Sequence, residues 1–352
     1  MTNNMYTNYT FVLHVYLNNT GHVQSGQYGE YLSKSTENIK TVYERWNLGD
    51  IHNLEITGKG ITIAIIDDGL DCSHLSIKQK YDRGEIRGFP TGTWNHDKAE
   101  HGTAIAAIAA GYGYLNESEQ VMPRGIAPEA NLYVYRLGEN FNRGDNEMAA
   151  ANELSAALDH ILNLQEPRID VVAMSLCLPK INMMVKRKLE ELAKKRIVCV
   201  AAAGNSGVLK PGARFPASDG NVISVGAIED TGQLANFTPD SEINVYAFGK
   251  NVVVPLLTSA NAASHLDGTS FAVPMVAGFL ALLFQCTKQF PNCEDAYDLY
   301  HDVSFLNEHF KACHKLCKDR RLFYVNTYFK DLWKDRMQDP SPLVAYYTDI
   351  VQ

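Results

Sequence analysis

The chain has 352 residues, 45% of them hydrophobic and 10% aromatic, which is enough to bury a substantial core and too apolar for a disordered segment. A formal net charge of -8 speaks against nucleic acid or an anionic membrane surface as the main partner, because both favour a basic face. Continuous apolar runs such as Gly278 to Phe284 fall short of the roughly 18 to 20 residues that span a bilayer, so no membrane span is expected.

Residues 1–45 read as an irregular polar extension with scattered Asn and Gly. The run Phe11 to Leu17 within it has no Lys or Arg before it and is interrupted by His14, so it is not read as a signal peptide. One domain is expected over residues 46–335, followed by a tail over 336–352. Between residues 60 and 285, short runs rich in Val, Ile and Ala alternate with longer stretches of helical periodicity. This is the pattern of an α/β fold in three layers, a mainly parallel sheet with helices on both faces. Strands are expected at Ile61–Ile66, Asn131–Leu137, Asp170–Leu176, Ile197–Ala203 and Val222–Ile228. Helices are expected near His101–Tyr112, Asp145–Leu164, Asn182–Arg196 and Thr269–Gln285.

In such sheets functional groups gather beyond the carboxyl ends of the strands. Asp67 follows the first strand, Leu176 and Cys177 end the third, and Asn205 follows the fourth. His101 and Ser270 each open a helix, which brings them to the same rim. Acyl transfer needs a hydroxyl nucleophile, an imidazole to carry its proton and a carboxylate to orient that imidazole. Ser270 lies in Gly268-Thr269-Ser270-Phe271-Ala272, just before an apolar helical run, where unpaired backbone N–H groups favour negative charge. The competing reading of Ser270 is a plain helix cap. His101 lies in His101-Gly102-Thr103, and an ordinary histidine titrates near the pH at which a general base works. Asp67 and Asp68 compete for the orienting role, since alternation along a strand sends them to opposite sides. Asn205, in Ala203-Gly204-Asn205-Ser206-Gly207, stands where an amide N–H points at a developing oxyanion; the alternative is a turn Asn.

These four words, in the order Asp, His, Asn, Ser, resemble the subtilisin-like serine proteases, the subtilases of peptidase family S8. The likeness runs from about Trp46 to Trp333 and includes Gly125-Ile126-Ala127-Pro128 and Phe323-Tyr324-Val325-Asn326. It implies a subtilisin-like fold and a serine endopeptidase that cuts peptide or protein substrates through an acyl-enzyme. The family pattern assigns the orienting carboxylate to Asp67, with His101, Ser270 and Asn205 in the other roles. The adjacent Asp68 is similar to the kexin-like branch. Substrate is expected to pair with strand edges near Leu137 and Gly138 and near Ser175, Leu176 and Cys177. Cys177 stands where the family commonly carries Gly and narrows the specificity pocket. Arg214, in Ala213-Arg214-Phe215-Pro216, resembles part of that pocket's base, where a guanidinium attracts an acidic side chain; the alternative is that it points to solvent.

The family's calcium site is not expected, because Ser76 stands where an Asp is needed and residues 112–124 do not match. Cys286, Cys293, Cys313 and Cys317, with His314, fit no common zinc spacing, so no metal or cofactor is expected. An odd total of seven cysteines, with Cys199 in an apolar strand, fits reduced thiols and a cytoplasmic setting; Asn-x-Ser/Thr sequons at Asn8, Asn18, Asn116 and Asn236 would suit a secreted chain. The alternative function is a catalytically silent binding or scaffold protein on the same fold. It would be expected to lose at least one of the three catalytic residue types, and none is lost.

Overall fold

The computed structural model describes residues 48–316, apart from 54, 97–98, 116–120, 123, 139–146, 208–211, 230–232, 257–261 and 290–297. The expected extension over residues 1–45 and tail over 336–352 lie outside the described residues, as do Cys293 and Cys317. In chain order the elements are α1 (Leu48–Asn53), β1 (Thr62–Asp67), α2 (Leu75–Asp82), β2 (Ile86–Phe89), α3 (Glu100–Ala110), β3 (Tyr114–Leu115), β4 (Val121–Met122) and β5 (Asn131–Arg136). There follow α4 (Glu147–Asn163), β6 (Val171–Met174), α5 (Met183–Lys194), β7 (Val198–Ala202), β8 (Val222–Ile228), β9 (Val245–Phe248), β10 (Val252–Leu256), β11 (Ala262–Leu266), α6 (Thr269–Gln289) and α7 (Val303–Leu316).

Seven strands form one sheet in the order β2-β5-β1-β6-β7-β8-β9, and every pairing in it is parallel. Except at the edge strand β2, where Arg87 is exposed, the strands are buried along most of their length, and the two-residue alternation divides their side chains between two cores. Ile63 and Ile65 of β1, Val171 and Ala173 of β6, and Val198 and Val200 of β7 pack on the side of α3 and α6. Ala64 and Ile66, Val172 and Met174, and Cys199 and Ala201 pack on the side of α4 and α5. This is the three-layer α/β arrangement expected from the sequence.

All five expected strands and all four expected helices are present, with ends shifted by a few residues. The strands of this sheet that the pattern does not announce, β2 and β9, are four residues each and lie at its two edges, and the two-stranded pairs β3–β4 and β10–β11 are also unannounced. The Arg and Gly of Ile86-Arg87-Gly88-Phe89 hide the strand signal. Where local chemistry is explicit the boundary is sharp: Asn182 opens α5 by accepting from the amides of Met184 and Val185 at 3.0 and 3.2 Å.

Among the described residues one apolar helix is longer than the sequence runs suggest. Thr269–Lys288 is a single helix long and apolar enough to cross a membrane, because the helix continues through the short breaks in the apolar run. Its apolar window is 94% buried inside the protein, packed between the sheet and α3, which is the position of a core helix.

The sheet order fans out from β1, with β5 on one side and β6 on the other. The chain therefore turns away in opposite directions beyond the carboxyl ends of these neighbouring strands, and a crevice opens there. Asp67 ends β1, Leu137 follows β5, Ser175 follows β6, and Ala203 to Asn205 follow β7.

Candidate active site

One wall of the crevice joins Asp67, Asp68 and His101. Asp67 is buried, and both its carboxylate oxygens accept from His101 Nδ1, at 2.8 and 2.9 Å. That bond leaves Nε2 as the basic nitrogen of the neutral ring. Asp68 turns the other way, as strand alternation requires, and accepts the backbone amides of Gly102 (2.7 Å) and His101 (3.3 Å). It thus caps α3 from outside the helix, satisfying amides that no residue within the helix can reach. The approach is close: a Cβ on Gly102 would sit 2.1 Å from the Gly69 carbonyl oxygen, so no side chain fits there.

The opposite wall carries Ser270 and Asn205. Ser270 is the second residue of α6, and four residues on stands Pro274, which has no N–H to give back to the Ser270 carbonyl. Ser175 Oγ supplies the missing donor, at 2.8 Å. Ser270 Oγ in turn donates to the Ser175 carbonyl at 3.3 Å, and no hydrogen bond joins it to His101 among the described residues. The residue after Ser270, Phe271, has its ring 5.6 Å from the imidazole, centroid to centroid. Asn205 is exposed, but its Oδ1 accepts from both the amide and the hydroxyl of Thr269, each at 2.9 Å. With its oxygen held this way, the Nδ2 end lies near Gly268, 3.4 Å from where a Cβ would stand there.

Across residues 58–299 the sequence matches the model of the subtilase family, Peptidase_S8. The chain belongs to the subtilases. It is 30% identical over 264 residues to Subtilisin E of Bacillus subtilis (strain 168), a match covering 74% of this chain and 65% of that protein. It is 29% identical over 260 residues to the Major intracellular serine protease of the same organism, covering 70% of this chain and 74% of the relative. Among solved structures, the prenylagaramide maturation protease PagA superposes with a TM-score of 0.55 at 21% identity, covering 69% of this chain and 82% of that one, which supports the shared fold.

Electrostatics set this subtilase's imidazole apart from an ordinary histidine. Burial works against the imidazolium, but the charge and hydrogen bond of Asp67 and the charge of Asp68 outweigh it, and the pKa is pushed up to about 9. The Asp68 carboxyl is raised to about 6, by burial first and the neighbouring Asp67 second, against the pull of the two amides it accepts and of His101.

Two amides of the expected substrate edge already have partners within the protein. The Leu137 amide is engaged by the Asp67 carbonyl at 2.7 Å and the Gly138 amide by Glu153 of α4 at 2.8 Å, so neither is a donor for a bound peptide. Leu176 is buried in the core, while Cys177 is half-buried and its thiol donates to the Ala202 carbonyl at 3.3 Å. Arg214 is half-buried beside Gly204.

Ser76 is buried, and its hydroxyl hydrogen-bonds His74 Nδ1 at 2.8 Å; among the described residues no three His, Cys, Asp or Glu gather into a metal-binding group. Three features escaped the sequence reading: the capping by Asp68, the exchange between Ser175 and Ser270, and the Thr269 clamp on Asn205. Only the second had a local signal, the four-residue spacing from Ser270 to Pro274.

Proposed function

We propose that the chain is a serine endopeptidase that hydrolyses peptide bonds of peptide or protein substrates through an acyl-enzyme. Ser270 attacks the scissile carbonyl, and His101 Nε2 takes its proton and returns it to the leaving amine. Asp67 holds His101 in the required tautomer and stabilises the imidazolium that forms. Asn205 Nδ2 and the backbone N–H of Ser270 receive the charge that develops on the carbonyl oxygen. The observation that carries this reading is the two-oxygen bond from Asp67 to His101 Nδ1, which a silent scaffold has no need to keep. Before attack, Ser270 Oγ exchanges its Ser175 acceptor for Nε2, a change of χ1 rotamer of the kind serines make readily. Catalytic hydrogen bonds are often loose without substrate and tighten when it binds.

A second reading, a silent binding protein on the subtilase fold, draws on that same Ser270–Ser175 bond. A fluorophosphonate probe separates the two. Stoichiometric labelling of the parent protein that disappears in Ser270→Ala supports the hydrolase; an unlabelled parent refutes it.

A further inference from the structure

The strip Ala213–Phe215 runs between the ends of two sheet strands and is tied to both. The Arg214 amide donates to the Ala203 carbonyl at 2.9 Å, and the Leu178 amide donates to the Phe215 carbonyl at 2.7 Å. One tie lies two residues before Asn205, the other three residues after Ser175. Arg214 therefore sits where the segments that follow β6 and β7, Ser175–Cys177 and Ala203–Asn205, form the two sides of a slot.

The arginine stem crosses the slot over Gly204, which has φ +105°; a Cβ there would fall 2.9 Å from Arg214 Cδ and 3.1 Å from Cγ. The guanidinium also acts on the opposite wall. Burial raises the Cys177 thiol to about 11, and the Arg214 charge pulls against that rise. Arginine heads normally pair with carboxylates or carbonyls when half-buried, yet among the described residues the Arg214 guanidinium makes no hydrogen bond or ion pair. Cys177 narrows the slot further, since its thiol reaches across to the Ala202 carbonyl. A half-buried cation that no described residue pairs, set between two chain segments, suits an anionic side chain and rejects a cationic one.

We propose that Arg214 determines specificity by receiving the carboxylate of an aspartate or glutamate at the residue before the scissile bond. This rests on the endopeptidase reading above. With the substrate carbonyl between Ser270 and Asn205 Nδ2, that residue's side chain descends between the two walls. Its carboxylate then meets the guanidinium in a charge-assisted pair.

The test compares peptides identical except for Asp, Asn, Glu, Gln, Leu or Lys at that residue, with kcat/KM measured for each. Asp over Asn, and Glu over Gln, should be preferred roughly 10- to 100-fold, the range of a hydrogen bond to a charged partner. Arg214→Gln should bring these ratios close to one, and Arg214→Glu should turn the preference towards Lys. An uncharged fluorophosphonate, titrated against each variant, reports whether the site is still assembled. Should Arg214→Gln not fold, the isosteric pairs on the unchanged protein decide alone. Equal cleavage after Asp, Asn, Leu and Lys, or ratios unchanged in a folded Arg214→Gln, overturns the inference while leaving the hydrolase intact. A parent protein that the probe does not label overturns both.

Discussion

The two walls of the crevice are held by different forces. On the side of α3, carboxylates do the holding: Asp67 binds the imidazole with both oxygens, and Asp68 accepts two amides at the helix start. On the side of α6, neutral groups do it: Ser175 and Ser270 exchange hydroxyl-to-carbonyl bonds, and Thr269 clamps Asn205. A wall held by charge answers to pH and to nearby ions, whereas one held by neutral hydrogen bonds answers to geometry. Changing one residue on each wall should therefore give losses of different size and different pH behaviour.

The largest effect is expected on the charged wall. Asp67→Asn keeps the shape but replaces an acceptor pair with one acceptor and one donor, so His101 is no longer held in the tautomer that leaves Nε2 basic. Turnover should fall about 10⁴-fold, the size of loss seen when this carboxylate is removed in serine proteases, subtilisin among them. Steady-state kcat on a cleaved peptide measures it. A loss below tenfold would mean that the bond between Asp67 and His101 is structural only.

On the neutral wall, Asn205→Ala should lower kcat by about 10²- to 10³-fold and leave KM nearly unchanged, because the Nδ2 group meets its acceptor only as charge develops; subtilisin supplies the precedent for that magnitude. The Thr269 amide also loses its acceptor, so a thermal melt of the variant should fall slightly as well. If KM rises as much as kcat falls, Asn205 binds ground-state substrate instead, and the contrast between the walls blurs.

The contrast between the walls was only partly legible in the chain. Asp67, His101, Asn205 and Ser270 announce themselves, because each stands within two residues of a glycine near the end of a strand or the start of a helix. The strands between them read as continuous apolar runs, since both faces of a parallel sheet are covered. What could not be read were contacts between segments far apart in sequence. Asp68 and Gly102 are 34 residues apart, and Ser175 and Ser270 are 95 apart. No periodicity encodes such a pairing, which depends on strand order and on how closely α3 and α6 approach the sheet. The bond from the Gly138 amide to Glu153 was hidden for the same reason, since that carboxylate arrives from α4.

The smallest of these effects, and the one that most sharpens the contrast, comes from Asp68→Asn. His101 accepts a proton from Ser270 only when neutral, and its pKa of about 9 makes kcat/KM climb with pH until about 9. Asp68 contributes to that rise through its charge, which it carries above about 6. Replacing it with Asn removes the charge and keeps an oxygen for the Gly102 amide, so the imidazole loses its proton at lower pH. The acid limb should therefore move down, and activity near neutral pH should increase severalfold while the alkaline plateau changes little. Stability carries the opposite sign. Because the folded pKa of His101 lies above the ordinary 6.5, the imidazolium stabilises the fold below 6.5, and this contribution is lost as pH rises through about 9. In the variant that loss should occur earlier, which thermal melts from pH 6 to 10 would register beside the rate profile. An acid limb that stays in place, or moves up, would mean that Asp68 acts on α3 as a cap alone, and that Asp67 by itself sets the proton affinity of the base.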